Sequence, residues 1–260
     1  MLRCFHGLGD TIQFIRYAKL LAVLARAVTL VAQPELVPLV RTMNSGFNPL
    51  FRCRGVAAVG DVEVKLVELP HVFRTTFATI PCEIPYFHVN PKQFAQNALL
   101  NVGLVWKSGV WDKRRSVPFE LVRRLGAIRG VNWYILQRGD ALGEWDGGFG
   151  VNSGSDDVLE AARVIAGLDL LISVDSMPAH LDGALGVPTW TLLHSDPDWR
   201  WMLGRSESPS YATMRLFRQA RAGDWQSVIT RVRKALCARI AANNDNRGDD
   251  RLTVVNTSAT

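Results

Sequence analysis

The chain has 260 residues, of which 48% are hydrophobic and 21% charged, with 12 Pro and 21 Gly. That composition excludes a collagenous, low-complexity or disordered polymer and leaves an ordinary globular chain, at the border between one large domain and two small ones. Thirty Lys and Arg against 24 Asp and Glu give a net charge of +6, which favours anionic ligands such as nucleotides, or peripheral contact with an anionic membrane face. Nucleic acid is not expected: no basic run exceeds Lys113-Arg114-Arg115, and neither zinc-finger spacing nor an aromatic RNA-binding signature occurs.

Strand and helix patterns alternate from the first residue, the mark of parallel α/β units. A strand is predicted over residues 2–6, then a glycine turn, Gly7-Leu8-Gly9, and a helix from Asp10 with Ile12, Ile15, Ala18, Leu21, Ala22 and Ala25 on one face. A second strand follows over 28–32. Pro34 is placed to open a helix, and 56–59 and 64–69 are strand candidates separated by Gly60-Asp61. Pro81 and Pro85 favour an extended run over 79–87. A domain boundary is expected just after it, near Asn90-Pro91.

Beyond that boundary the alternation restarts. Strands are predicted over 102–106, 133–137, 170–174 and 189–193, and helices over 118–125, 157–166 and 177–185. Asp157 and Glu160 form a capping-box pattern at the head of the second of these helices. A last amphipathic helix is predicted over 225–242, after which the Asn-, Asp- and Thr-rich residues 243–260 are expected to be a disordered tail. The expectation is therefore an α/β protein with two Rossmann-like lobes, 1–90 and 91–242, and a cleft between their parallel sheets.

The four cysteines, Cys4, Cys53, Cys82 and Cys237, are widely spaced and lack nearby histidine pairs, so free thiols and no metal site are expected. The first residues carry no charged start followed by an apolar signal core. No apolar stretch approaches the roughly 20 residues of a membrane span. The simplest expectation is a cytoplasmic protein.

In open parallel sheets ligands bind beyond the carboxyl ends of the strands. Four such junctions stand out. At His6-Gly7-Leu8-Gly9-Asp10-Thr11, two glycines permit close backbone approach and a helix begins; Ile12 stands where a dinucleotide fingerprint would need its third glycine. Asp10 reads either as a helix cap or as a general base facing a cleft. Lys107 and Ser108, followed by Lys113, Arg114 and Arg115, gather donors suited to a diphosphate, although a solvated loop of mixed charge is the alternative.

The third junction, Ser173-Val174-Asp175-Ser176-Met177-Pro178-Ala179-His180, brings Asp175, Ser176 and His180 to one strand end and helix start. It lacks a G-x-S-x-G elbow, which favours ligand binding over a hydrolase triad. The fourth, His194 to Trp201, holds Trp199 and Trp201, which read equally as stacking platforms for a base or sugar and as core.

The stretches Gly7–Phe14, Gly103-Leu104-Val105-Trp106, Arg115-Ser116-Val117-Pro118, Leu136-Gln137-Arg138-Gly139 and Ser173–Leu181 occur in this order in the glycosyltransferase family that contains the lipopolysaccharide heptosyltransferases, glycosyltransferase family 9. Pro197–Trp201 and Leu216–Trp225 further resemble the heptosyltransferase-like domain at the C-terminus of bacterial tetratricopeptide-repeat proteins. The resemblance spans about residues 2–240. Single motifs are weak signals; their joint order is strong.

It implies a GT-B fold, an acceptor lobe followed by a nucleotide-sugar lobe, and metal-independent transfer of a sugar from a nucleoside-diphosphate sugar to an acceptor hydroxyl, with no cofactor. On it Asp10 matches the acceptor-deprotonating carboxylate. Gly9, Lys107, Ser108, Arg115, Gln137, Asp175, Ser176 and His180 fall on donor-binding positions. Met177 stands where the family has glycine.

The first lobe is shorter than in the lipopolysaccharide enzymes, so the acceptor is open among a sugar, a glycolipid and a protein. The tetratricopeptide repeats that accompany such a domain are absent from these residues, and tetratricopeptide-repeat proteins are among the expected partners. A catalytically inactive nucleotide-sugar-binding or protein-interaction module of the same fold is the alternative.

Overall fold

The computed structural model describes residues 1–43, 50–51, 62–94, 97 and 99–255. The strand predicted over 56–59, its Gly60-Asp61 turn and Cys53 lie outside the described residues; Cys4, Cys82 and Cys237 are free thiols.

The first lobe runs β1 (Leu2–Arg3), α1 (Leu8–Phe14), α2 (Ala18–Leu24), β2 (Thr29–Val31), α3 (Val37–Val40), β3 (Leu50–Phe51), β4 (Val64–Lys65) and α4 (Leu69–Val72). Its four strands pair in parallel in the order β3-β2-β1-β4. The single helix predicted from Asp10 instead opens at Leu8 and is interrupted at Ile15–Tyr17 by a tighter 3-10 turn. The predicted strand 64–69 stops at Lys65. The Glu68 side chain accepts from the Lys65 N–H at 3.4 Å, and Pro70, preset for a first helical turn, starts α4.

The second lobe runs β5 (Leu100–Val105), α5 (Phe119–Arg123), β6 (Val131–Ile135), β7 (Val151–Asn152), α6 (Val158–Ala166), β8 (Leu170–Val174), α7 (Met177–Leu185), β9 (Thr189–Leu193), β10 (Met214–Arg218) and α8 (Trp225–Val255). Its six strands pair in parallel in the order β10-β9-β8-β5-β6-β7. Every residue of β8 and β9 is buried; β8 accordingly reads as a nearly continuous apolar run, whereas β9 also buries Thr189 and Thr191. The patterns for β8, α7 and β9 match their observed bounds; β7 and β10 were not predicted.

Asp157 caps α6 by accepting from the Glu160 N–H at 3.0 Å. The last helix continues to Val255, beyond the predicted end at residue 242 and into the stretch expected to be disordered. After residue 242 the stretch carries no proline, so no residue there removes a backbone donor from the helix. None of the helices among the described residues is long and apolar enough to cross a membrane.

Sheet order reverses between β5 and β8 in the second lobe and between β1 and β4 in the first, so the residues after β1, β5 and β8 sit at switch points where open α/β sheets leave a crevice. The lobes meet where α1 packs on α7, within one continuous apolar core. Residues Ala179–Ala184 of α7 are all buried, because the helix lies between its own sheet and the other lobe.

Arg16, from the turn after α1, ties three parts of the chain together. It donates to the carbonyls of Gln13 (2.8 Å), Pro81 (3.0 Å) and Ser210 (2.5 Å) and to the Tyr86 hydroxyl (3.1 Å). Its guanidinium lies against the Tyr86 and Tyr211 rings. The extended run predicted over 79–87 crosses from one lobe to the other here, with the Tyr86 N–H on the Ala184 carbonyl at 3.0 Å.

Gly183 in α7 is pressed on Tyr211, whose ring carbons would lie 2.5 Å from an added Cβ. Gly183→Ala is therefore expected to destabilise the protein by about 1–3 kcal/mol through overpacking. A lowered melting temperature in calorimetry is the outcome that checks it.

Candidate active site

The first-lobe contribution begins where β1 delivers Gly7-Leu8-Gly9-Asp10. Gln33 fixes this loop, its amide donating to the His6 carbonyl at 2.7 Å while its oxygen accepts from the Thr11 hydroxyl at 3.0 Å. Asp10 lies in the first turn of α1, and its Oδ2 accepts from the Gly7 N–H at 3.0 Å. The capping role and the cleft-facing role therefore coincide. Its Oδ1 faces the second lobe and is ion-paired with Arg200.

Gly9 supplies the close approach. A Cβ there would stand 2.9 Å from His180 Cδ2 and 3.4 Å from the Cα of Met177. The close approach to the start of α7 is thus made from the opposite lobe, by a glycine in α1.

At the end of β5 the predicted cation cluster is largely paired. Lys107 is bonded to Glu144, which also accepts from the Trp106 indole at 2.9 Å. Arg114 forks onto Asp112 at 2.9–3.1 Å and reaches Asp196 at 3.4 Å. Arg115 turns inward, donating to the Asp175 carbonyl at 3.2 Å with its guanidinium 3.9 Å from the Asp175 carboxylate. Ser108 donates its N–H to the Ser116 hydroxyl at 3.3 Å. Gln137 is buried: its oxygen accepts from the Trp106 and Lys107 N–H groups and its amide donates to the Lys107 and Arg138 carbonyls, so it braces this loop.

At the end of β8, Asp175 is buried, and burial pushes its carboxyl pKa up, opposed by the Trp201 indole, Arg115 and Arg200. Ser176 turns its hydroxyl back to the Val174 carbonyl at 3.2 Å. His180 is buried on the far side of the same turn. Its Nδ1 is 3.2 Å from the Tyr211 hydroxyl, its ring stacks on Trp201 at 5.2 Å and 21°, and its Nε2 is 3.9 Å from Asp175. Trp201 thereby takes the core reading, whereas Trp199 is exposed beside Phe14.

The structure so gathers Asp10, Gly9, Arg115, Asp175, Ser176 and His180 at the lobe junction and leaves Lys107, Ser108 and Gln137 along the β5 loop. The sequence reading missed the hub, Arg200. It donates to both oxygens of Asp198, to Asp10 across the cleft and to Gln13 at 3.4 Å. Burial disfavours its charge, but the two carboxylates outweigh burial and its pKa is raised. The available signal was Asp198, two residues earlier, which also caps the turn by accepting from the Arg200 N–H at 3.0 Å. Among the described residues no group of three or more His, Cys, Asp or Glu is arranged to hold a metal.

Burial, reinforced by nearby Arg200, lowers His180 from 6.5 to about 3. Because the folded value is below the unfolded one, the neutral ring's contribution to stability is whole above pH 6.5 and declines as pH falls toward 3. In a ¹³C-histidine sample, the His180 resonance is expected to keep its neutral shift when titrated from pH 7 to pH 5, and a midpoint near 6.5 contradicts this burial.

No protein-family profile matches the chain. Protein FlbA of Caulobacter vibrioides is 30% identical over 151 residues, covering 52% of this chain and 24% of FlbA, so the chain spans about a quarter of the length of the curated relative it matches. The structure superposes on a glycosyltransferase family 9 protein from Veillonella parvula with a TM-score of 0.67 at 12% identity, covering 93% of this chain and 96% of that one. It superposes on E. coli heptosyltransferase WaaC with ADP-2-deoxy-2-fluoro heptose at 0.60 and 12%, covering 92% and 98%. For E. coli ADP-heptose heptosyltransferase II the values are 0.55 and 12%, covering 94% and 98%. The chain therefore has the two-lobed GT-B fold of these glycosyltransferases.

Proposed function

We propose that the protein is a glycosyltransferase of the family 9, heptosyltransferase-like kind. It moves a sugar from a nucleoside-diphosphate donor to an acceptor hydroxyl on a sugar, glycolipid or protein, without a metal. The observation that carries this reading is the packing of α1 on α7, which sets Gly9 against Met177 and His180 at the start of α7 and leaves the neighbouring first-lobe carboxylate, Asp10, paired across the cleft with Arg200 of the second lobe. WaaC, which shares the fold, is described with ADP and with an ADP-heptose analogue. A peripheral membrane contact and tetratricopeptide-repeat partners belong to the same proposal.

In this reading Asp10 accepts the proton of the acceptor hydroxyl as its oxygen attacks the anomeric carbon, and the bond from that carbon to the diphosphate breaks with its electron pair leaving on the diphosphate. Each carboxylate oxygen has two lone pairs, so the bonds from Gly7 and Arg200 leave room for a proton. Arg200 holds the carboxylate's orientation. Arg115 and the start of α7 offer positive charge where the leaving diphosphate develops negative charge. Lys107 joins them once it exchanges Glu144 for phosphate.

Asp10→Asn preserves shape and removes the proton acceptor. Turnover is expected to fall by about 10²–10⁴, with donor affinity in calorimetry unchanged. Undiminished turnover contradicts the mechanism.

The pairing of Lys107 with Glu144 and of Asp10 with Arg200 favours a second reading, a nucleotide-sugar-binding module without transfer activity. Nucleotide binding with no turnover across a donor and acceptor panel selects it, whereas hydrolysis of any nucleotide sugar selects the enzyme.

A further inference from the structure

Beside the Asp10–Arg200 pair, between the lobes, lies a cavity of about 150 Å³, room for one ring-sized group. Aromatic faces form much of its wall. Phe14 and Trp199 have ring centroids 6.4 Å apart and planes within 27° of parallel, and Phe77 stands in the same lining. Trp199 is 68% exposed and Phe77 57%. Uncharged polar groups interleave with the rings, from Gln13, Thr75 and Ser210.

The charge of the lining is already balanced. Arg16 is buried and bonded to three carbonyls and a hydroxyl. Arg200 faces two carboxylates, Asp10 and Asp198. An anionic group entering here meets Arg16 and Arg200 already engaged, with two carboxylates behind Arg200; Arg205, 4.5 Å from the Phe77 ring and outside the lining, has no ion-pair partner among the described residues. A purely apolar ring would offer no further hydrogen bond to Thr75 or to the Gln13 amide and Ser210 hydroxyl, which stand 3.5 Å apart in the lining. A group with C–H faces for the rings and hydroxyls for the polar groups satisfies both.

We propose that this cavity is an acceptor subsite taking one uncharged pyranose ring, with Trp199 and Phe77 as its stacking platforms. Gln13 connects it to the site, since its oxygen shares Arg200 with Asp10. The word acceptor rests on the glycosyl-transfer reading above; the binding of a neutral ring does not.

The test is saturation-transfer NMR on the full chain with three probes: methyl glucoside for the neutral ring, methyl glucuronide for an anionic one, and N-acetyl-phenylalanine amide for an apolar ring. ADP binding is measured in parallel by calorimetry. The neutral glycoside is expected to bind, to weaken about tenfold in Trp199→Ala and in Phe77→Ala, and to be unchanged in Trp111→Ala, whose indole is 92% exposed and outside the cavity.

Because Trp199 and Phe77 are both largely exposed, their truncation leaves the core intact. No glycoside binding, binding indifferent to both variants, or tighter binding of the glucuronide or the phenylalanine amide overturns the subsite. Glucuronide binding through Arg205, whose guanidinium lies 4.5 Å from the Phe77 ring, is read by that arm. Glycoside binding without ADP binding upholds the subsite and rejects an adenine-nucleotide donor; ADP binding without glycoside binding rejects the subsite alone.

Discussion

The close packing of α1 against α7 is the constraint on which the rest of the site depends. Two Rossmann-like lobes each end their first-formed crevice in a helix start, and the two starts can meet only if one backbone presents no side chain to the other. Gly9 provides that, with His180 and Met177 occupying the space a Cβ would need. His180 is in turn fixed by Tyr211 and Trp201, so what faces the crevice is backed by a dry aromatic layer rather than by solvent. Arg16 secures the same junction from behind by satisfying carbonyls from both lobes and the crossing segment.

Charge in the crevice is arranged in pairs. Arg200 with Asp10 and Asp198, Arg115 with Asp175, and Lys107 with Glu144 give a region of strong local fields and little unbalanced charge. Partly buried pairs of this kind hold side chains in fixed orientations, because separating them leaves a charge poorly solvated. An anionic donor can exchange with Glu144 at Lys107, which is 41% exposed, at small cost, as surface pairs contribute little. The Arg200 pairs are more enclosed and act as structure.

Legibility followed burial. The strands β8 and β9 and the helix α7 were readable residue by residue, because two short, mostly apolar runs rich in Leu, Ile, Val, Thr and Trp flank a helix that Pro178 opens and Gly186 ends. The first lobe was less readable. Its strands are two or three residues long, and the Val64 run carries strand-like residues into a turn that Glu68 and Pro70 impose. β10 was missed because Arg215 and Arg218 stand three apart in a five-residue segment, which breaks the two-residue alternation that marks a strand. Of the candidate site residues, Asp10, Asp175, Ser176 and His180 were named from their place after strands, and the structure brings them to the lobe junction. Gln137 and Lys107 were found too, but their engagement with the Trp106 loop and Glu144 depends on distant residues that no local pattern connects.

By itself the amino-acid sequence determined the alternation of strands and helices, the parallel sheets that follow from it, and the chemical types waiting at each strand end, since these rest on periodicity and local turn chemistry. Tertiary structure alone decided which strand ends face each other. It turned Asp10 toward Arg200, 190 residues away in the chain, buried His180 and Trp201 while leaving Trp199 exposed, and enclosed a ring-sized cavity between lobes. Those outcomes depend on the packing of α1 on α7, a contact between surfaces that neither segment specifies without the other.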